Sequence, residues 1–277
     1  MPELPEVESL RRILARSAVG RTIASTRIGE KELRRRKTAD FAAAVRDRRI
    51  ETISRRAKYL IIALDGPGAL LVHLGMSGSL THRRRGFASE ALDPRHDHVA
   101  FELDDGTRLV FNDPRRFGIV RLVERAELAG LTELRNLGPE PMSREFSVGY
   151  LTEKAGGKKV AIKNLLMDQR IVAGIGNIYA SEILFRAGVR PTRRSGRVRH
   201  DELERIVGAT PEILRAAISS RGTTFRSYLD SRGEPGRFAS RLRVYGREGK
   251  PCYTCSTPIR NVVLGQRASF YCPQCQK

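Results

Sequence analysis

All four cysteines of this 277-residue chain lie near its C-terminus, as Cys252-x2-Cys255 and Cys272-x2-Cys275. The 16 residues between the pairs fit the spacing of a four-cysteine zinc ribbon. Tetrahedral zinc needs two tight turns brought together, and each pair carries turn chemistry. Pro251 flanks the first pair and Pro273 falls inside the second. Two disulfides would use the same four thiols, but the first helix is preceded by no n-region/h-region signal, so the thiols are expected to stay reduced. The expected cofactor is one structural Zn2+, because four thiolates leave no position open for chemistry. Between the pairs, Ile259, Val262, Val263 and Leu264, followed by Ala268-Ser269-Phe270-Tyr271, predict a β-hairpin with Arg260 and Arg267 projecting from it.

The charge balance points to an anionic polymer. Lysine plus arginine number 51 against 31 acidic residues, a formal +20 with a pI near 10.7. Such a field attracts phosphate backbones and releases their counterions on binding. A membrane surface would also attract it, yet no apolar run reaches the length of a spanning helix. The expectation is a soluble, cytoplasmic protein. The length, with 40% hydrophobic residues, allows a good core and suggests about two domains.

The N-terminal half reads as short strands. Thr52 to Leu64 predicts one strand, Asp65-Gly66-Pro67-Gly68 a turn, and Ala69 to Leu74 a second strand. Val99 to Leu103 and Thr107 to Phe111 form a hairpin through Asp104-Asp105-Gly106. Pro139 to Phe146 resembles a linker. From Leu151 the period becomes helical, over Val160–Met167, Ile178–Ala187, His200–Val207 and Pro211–Ser220. The Gly-, Arg- and Ser-rich stretch from Ser220 to Arg247 is expected to be a mobile loop.

The chain opens Met1-Pro2-Glu3-Leu4-Pro5-Glu6-Val7-Glu8. Removal of Met1 before a small residue would leave Pro2 with a secondary amine beside the Glu3 carboxylate. An α-amino group titrates roughly two units below a lysine, so it is a usable nucleophile at neutral pH. Attack on an electrophilic carbon can give an iminium while a carboxylate moves the protons. The same residues also describe an ordinary amphipathic helix, with Pro5 at its first position, Glu6 and Glu8 in its first turn, and Val7, Leu10, Ile13 and Leu14 on one face. Further along, Gly174-Ile175-Gly176-Asn177 precedes a helix, with Asn177 as its expected N-cap and an anion site at the exposed amides. A dinucleotide fingerprint would need glycine where Tyr179 stands, and a βαβ setting that is missing. A metal reading of His96 and His98 has no further ligand nearby.

Taken together, these motifs resemble the formamidopyrimidine-DNA glycosylase (Fpg) branch of the Fpg/Nei family, over essentially the full length. The resemblance rests on PELPEVE at 2–8, RRAKYL at 55–60, HLGMSG at 73–78, HDH at 96–98, NDPRRFG at 112–118, GIGNIYASE at 174–182, GTTF at 222–225, VYGR at 244–247 and the zinc ribbon. It implies an α+β fold: a two-sheet β-sandwich flanked by helices, then a helix-two-turn-helix domain with a four-cysteine zinc finger built on a β-hairpin. The implied organisation is a catalytic domain at 1–135, a linker at 136–150, a helix-two-turn-helix domain at 151–225, a mobile lesion-recognition loop at 222–242 and a zinc finger at 243–277.

The implied activity is that of a DNA glycosylase and abasic-site lyase acting, as a monomer, on double-stranded DNA with oxidised purines or abasic sites. Pro2 would attack C1′ of the damaged nucleotide, and β- and δ-eliminations would then cut the strand. Glu3 would carry protons, with Glu6 a second carboxylate near it. Lys58 would contact phosphate and assist elimination, although local sequence alone reads it as a strand lysine facing water. Arg267 would grip the phosphate at the lesion. Chemistry on a stacked base requires its extrusion, and Met76, Arg115 and Phe117 match the residues that fill the resulting hole. Met76, between Gly75 and Gly78, can project as a flexible apolar wedge. His73, His96, Lys158 and Asn177 match positions holding DNA phosphates or backbone. The alternatives are a Nei-type enzyme for oxidised pyrimidines and a non-catalytic damage-binding protein; intact Pro2, Glu3 and Lys58 argue against the second.

Overall fold

The computed structural model of the protein describes residues 1–33, 40–84, 92–224, 230 and 234–277. Two compact units emerge, one formed by Met1–Arg135 with Ile218–Ala239, the other by Asn136–Ala217 with Ser240–Lys277. Phe225 and other parts of the expected lesion-recognition loop lie outside the described residues.

In the first unit, α1 (Leu4–Ser17) leads into two antiparallel sheets. One sheet has the order β2 (Ile50–Arg56), β3 (Tyr59–Leu64), β4 (Gly68–His73), β8 (Ile119–Glu124). The other runs β1 (Ile23–Ile28), β6 (Asp97–Leu103), β7 (Arg108–Asn112), β5 (Ser79–Arg83). Alternation sets the faces: Leu60, Ile62 and Leu64 of β3 point inward to a core shared with Val99, Phe101, Leu109 and Phe111 of the other sheet. Val7, Leu10 and Leu14 of α1 and Phe41 of α2 (Phe41–Val45) complete that core. The Ala69-Leu70-Leu71-Val72 run of β4 is buried throughout, since Leu70 and Val72 face the shared core while Ala69 and Leu71 face a smaller cluster with Val123. Leu128, Leu131 and Leu134 cover that second face, at the approach to and within the short α3 (Thr132–Arg135).

The stretch from Thr52 to Leu64, expected as one strand, is a tight hairpin. Arg56 pairs with Tyr59, and Ala57-Lys58 forms the turn, with Ala57 at φ 52°. A left-handed alanine gives no signal in sequence, and here its carbonyl is held by the Arg55 guanidinium at 2.8 Å.

The second unit is mainly helical. Ser147 caps α4 (Val148–Ala155) by accepting from the Tyr150 N–H. A turn and a bend separate α5 (Ile162–Met167) from α6 (Asn177–Ala187), and Gln169 bonds the backbone of that segment. Its amide donates to Met167 and Ile175 carbonyls and accepts from the Gly174 N–H, all within 3.0 Å. The two helices expected at 200–207 and 211–220 are one continuous α7 (His200–Ser219) containing Pro211. Proline removes one backbone bond, but Leu203, Ile206, Leu214 and Ala217 are buried along one face and hold the helix through it. The hairpin of β9 (Arg260–Leu264) and β10 (Arg267–Tyr271) turns through Gly265 and Gln266, both at positive φ. That geometry is the two-residue turn that matches strand twist, and it sets Arg267 directly after the turn. No helix among the described residues is long and apolar enough to cross a membrane.

Candidate active site and metal centre

The chain's first residues form a compact ring of charge within the first unit. Glu3 is the N-cap of α1 and Glu6 its third helical residue, and the two form a reciprocal capping box; the Glu3 N–H donates to Glu6 Oε2 at 2.8 Å. The helix thus starts at Leu4, one residue before the expected Pro5. Pro2, Glu3, Glu6 and Lys58 are all buried. Burial pushes the α-amino group of Met1 below its ordinary value, Glu3 and Glu6 pull it back up, and the positive charges of Lys58 and Arg115 push it down. Two carboxylates and two cations therefore act on the amino terminus, and with Met1 in place the net effect favours its neutral amine.

Two buried devices hold this ring. Glu6 Oε1 accepts the Thr223 N–H at 2.7 Å, tying the base of the 222–242 segment to the helix start. Gly222, at φ +80°, allows this approach: a Cβ there would lie 2.7 Å from Glu6 Oε1. Glu8 accepts from Arg11, Arg12 and Arg55, and Arg55 also braces the turn that carries Lys58. Burial opposes the Glu8 charge, but hydrogen bonds from Arg11 and Arg12, with the charges of Arg11 and Arg55, hold its carboxyl down at about 2. Neither Glu8 nor Arg55 stood out in the sequence. No local signal links the two, which lie 47 residues apart.

Met76 and Phe117 are each 43% exposed, and the Arg115 guanidinium lies 4.9 Å from the centre of the Phe117 ring. These apolar side chains stand out from a unit whose other large apolar groups are mostly covered. His73 accepts the Gly75 N–H at 3.0 Å, and His96 lies 3.9 Å from the Asp93 carboxylate. His98, by contrast, is buried against the Asp113 carbonyl at 2.9 Å and serves the fold.

In the second unit the N-cap of α6 is Gly176, not Asn177. The Asn177 side chain is instead spent on tertiary bonds. Its Oδ1 accepts from Lys163 Nζ at 2.6 Å and its amide donates to the Ala268 carbonyl at 3.0 Å. Lys163 is fully buried and also donates to the Ala268 carbonyl and Ser269 Oγ, which uses all three ammonium protons. Together they fix α5, α6 and β10 beside Arg267, which is itself exposed, as is Lys158 on its turn. Buried Glu182 accepts from the N–H groups of Arg243, Val244 and Tyr245 within 3.0 Å; burial pushes its carboxyl upward while these bonds resist. Lys163 and Glu182 were missed because each looks like one more charge on an amphipathic helix, and apart from Asn177 their partners lie 60 or more residues away.

The four cysteine Sγ atoms lie within 4.8 Å of one another, the only such ligand group among the described residues. Cys255 is 3.4 Å from both Cys272 and Cys275, and Cys252 is 3.9 Å from Cys275. Tetrahedral zinc with Zn–S of about 2.3 Å sets thiolates roughly 3.8 Å apart, so the donors present fit one Zn2+ with no open position. All four cysteines are free rather than paired in disulfides. Buried Gln276 accepts the Cys272 N–H at 2.9 Å and donates to the Val189 carbonyl at 2.8 Å, anchoring the second knuckle.

Three family models match the chain: the formamidopyrimidine-DNA glycosylase N-terminal domain over residues 1–120, the formamidopyrimidine-DNA glycosylase H2TH domain over 137–228, and a zinc finger found in FPG and IleRS over 249–277. Formamidopyrimidine-DNA glycosylase of Syntrophotalea carbinolica is 44% identical over 278 residues, and that of Halorhodospira halophila 45% over 277, each covering all of both chains. Among solved structures, the MutM (Fpg) protein of Thermus thermophilus has a TM-score of 0.87 at 37% identity, covering 99% of this chain and 98% of its own. The Lactococcus lactis Fpg solved with DNA containing an abasic site has a TM-score of 0.90 at 29% identity, covering 99% of each chain.

Proposed function

This chain belongs to the formamidopyrimidine-DNA glycosylase family, and from that premise we propose that it excises oxidised purines from duplex DNA and then cuts the strand through a Schiff base on Pro2. It is a DNA glycosylase that processes DNA damage; the lesion class and the covalent route are the finer reading. The observation that carries it is the amino terminus, where Pro2, Glu3, Glu6 and Lys58 are all buried and the Glu3–Glu6 capping box fixes the helix start.

With Met1 removed, the Pro2 nitrogen attacks C1′ of the damaged nucleotide, and the base leaves with the electron pair of the glycosidic bond. Opening of the sugar ring then gives an iminium. A secondary amine forms this cation without a neutral imine to fall back to, so the C2′ proton becomes acidic. Its removal expels the 3′ phosphate, and a second elimination expels the 5′ phosphate. Glu3 is the proton carrier, held against the helix start by its capping bonds; Glu6 lies beside it, and Lys58 serves the eliminations. Arg267, Lys158, His73 and His96 meet phosphates, as does the backbone N–H of Asn177 at the start of α6, helped by the +20 field. Met76, Arg115 and Phe117 enter the duplex where the base was. Zinc on the four thiolates fixes the hairpin and takes no part in bond-making. The enzyme acts as a cytoplasmic monomer.

Strand cleavage on two duplexes tests this reading, one with 8-oxoguanine opposite cytosine and one with an oxidised pyrimidine. The expected result is a one-nucleotide gap with phosphate at both ends, formed at least tenfold faster on the purine lesion. Faster cleavage of the pyrimidine would move the chain to Nei-type specificity, and tight binding without cleavage would make it a damage binder.

A further inference from the structure

The loop bearing Met76 and the loop bearing Arg115 and Phe117 meet at one carboxylate. Asp113 is fully buried. Its Oδ1 accepts from Ser77 Oγ at 2.6 Å and from the Arg115 N–H at 3.2 Å, while Oδ2 accepts from the Gly118 N–H at 2.8 Å. No lysine or arginine side chain pairs with it among the described residues; uncharged donors from both loops satisfy it instead. The Asp113 backbone is pinned as well, since its N–H donates to the His96 carbonyl at 3.0 Å and its carbonyl meets buried His98.

The loops also touch through their backbones. A Cβ on Gly75, at φ +62°, would lie 2.6 Å from the Phe117 carbonyl carbon, and one on Gly118 would lie 3.0 Å from the His73 carbonyl oxygen. Between the two amides that Asp113 accepts, Arg116 is held at φ +58°, a strained conformation for a residue with a side chain. A buried carboxylate without a cation is costly unless its geometry is fully used. Here it is used to lock two separate loops in one arrangement.

We propose that Asp113 is a positioning residue that holds Met76, Arg115 and Phe117 as a single preassembled wedge. The inference rests on the reading above that these three side chains fill the hole left by an extruded base. Pre-ordering would remove the need to fix three side chains separately at the moment of extrusion. Asparagine at 113 would turn an N–H2 toward at least one of the donors and unlock one loop from the other.

The test compares two rates in the full-length, zinc-loaded protein. One is release of 8-oxoguanine from duplex DNA, which needs the wedge. The other is borohydride trapping on an abasic site preformed in single-stranded DNA, which has neither a base to extrude nor a partner strand. Asp113→Asn should lower the ratio of the first rate to the second at least tenfold, and Ser77→Ala about threefold. Ser77→Ala cuts one link between the loops and leaves the backbone bonds of Asp113 in place, so it decides the matter if Asp113→Asn does not fold. Met76→Ala is the control. If it lowers the ratio while both Asp113→Asn and Ser77→Ala leave it unchanged, the positioning role is overturned and the wedge stands. An unchanged ratio in Met76→Ala as well would overturn the wedge itself.

Discussion

The start of α1 and the zinc hairpin both present candidate site residues, yet they hold them by different means. Glu3, Glu6 and Lys58 stand on a core that joins two sheets and a helix, so buried charges there are carried by packing and by backbone amides. The hairpin bearing Arg267 rests on a much smaller cluster of Val244, Ile259, Cys252 and Cys272, with Phe270 packed against it. So small a cluster supplies little burial, and such elements are held by metal or cross-links instead. Buried Lys163, Glu182 and Gln276 add polar clamps to it. The contrast teaches that the start of α1 should tolerate loss of one buried charge better than the hairpin tolerates loss of one thiolate.

The largest effect should come from Cys252→Ser. Zinc should leave, the hairpin should lose its order, and affinity for duplex DNA should fall at least a hundredfold by fluorescence anisotropy, with the sheets of the first unit still folded by circular dichroism. Affinity within threefold of the wild type would show that the Lys163 and Gln276 clamps suffice without metal, which would break the comparison.

A smaller effect is expected at Glu8, which sharpens the other half. Its carboxyl lies near 2 in the folded chain against an ordinary 4.5. The stabilisation is therefore complete above pH 4.5 and is lost as pH falls from 4.5 toward 2. Glu8→Gln should cost about 2–3 kcal/mol at pH 7, the roughly 3.4 kcal/mol of that shift reduced by solvent screening of the partly exposed ion pairs. Urea unfolding at pH 7 and at pH 3 measures it, and a difference that does not shrink in acid would rule out the charge as its source.

The same contrast governs how much could be read from the sequence. The metal site was legible because ligand spacing is local, and the hairpin between the pairs followed from alternation. The helix at the N-terminus was legible from its apolar stripe. The turn that carries Lys58 was not, because nothing in Arg56-Ala57-Lys58 announces a left-handed residue, and a run of strand formers hides it. Asn177 has the side chain of an N-cap, but a buried lysine 14 residues away and a carbonyl 91 residues away claim it first. Pro211 signals a break that the buried face of α7 overrides. For Asn177 and Pro211 the deciding partner or packing face lies outside the local window, where periodicity and propensity carry no information.

The central claim is that the N-terminal amine does the chemistry, and the direct test is the position of the covalent bond. Protein with Met1 removed would be reduced with borohydride on 8-oxoguanine duplex, digested, and mapped by mass spectrometry. The account predicts one sugar adduct on the N-terminal peptide, at the Pro2 nitrogen. An adduct on Lys58 or another lysine, or none despite tight binding, would contradict it.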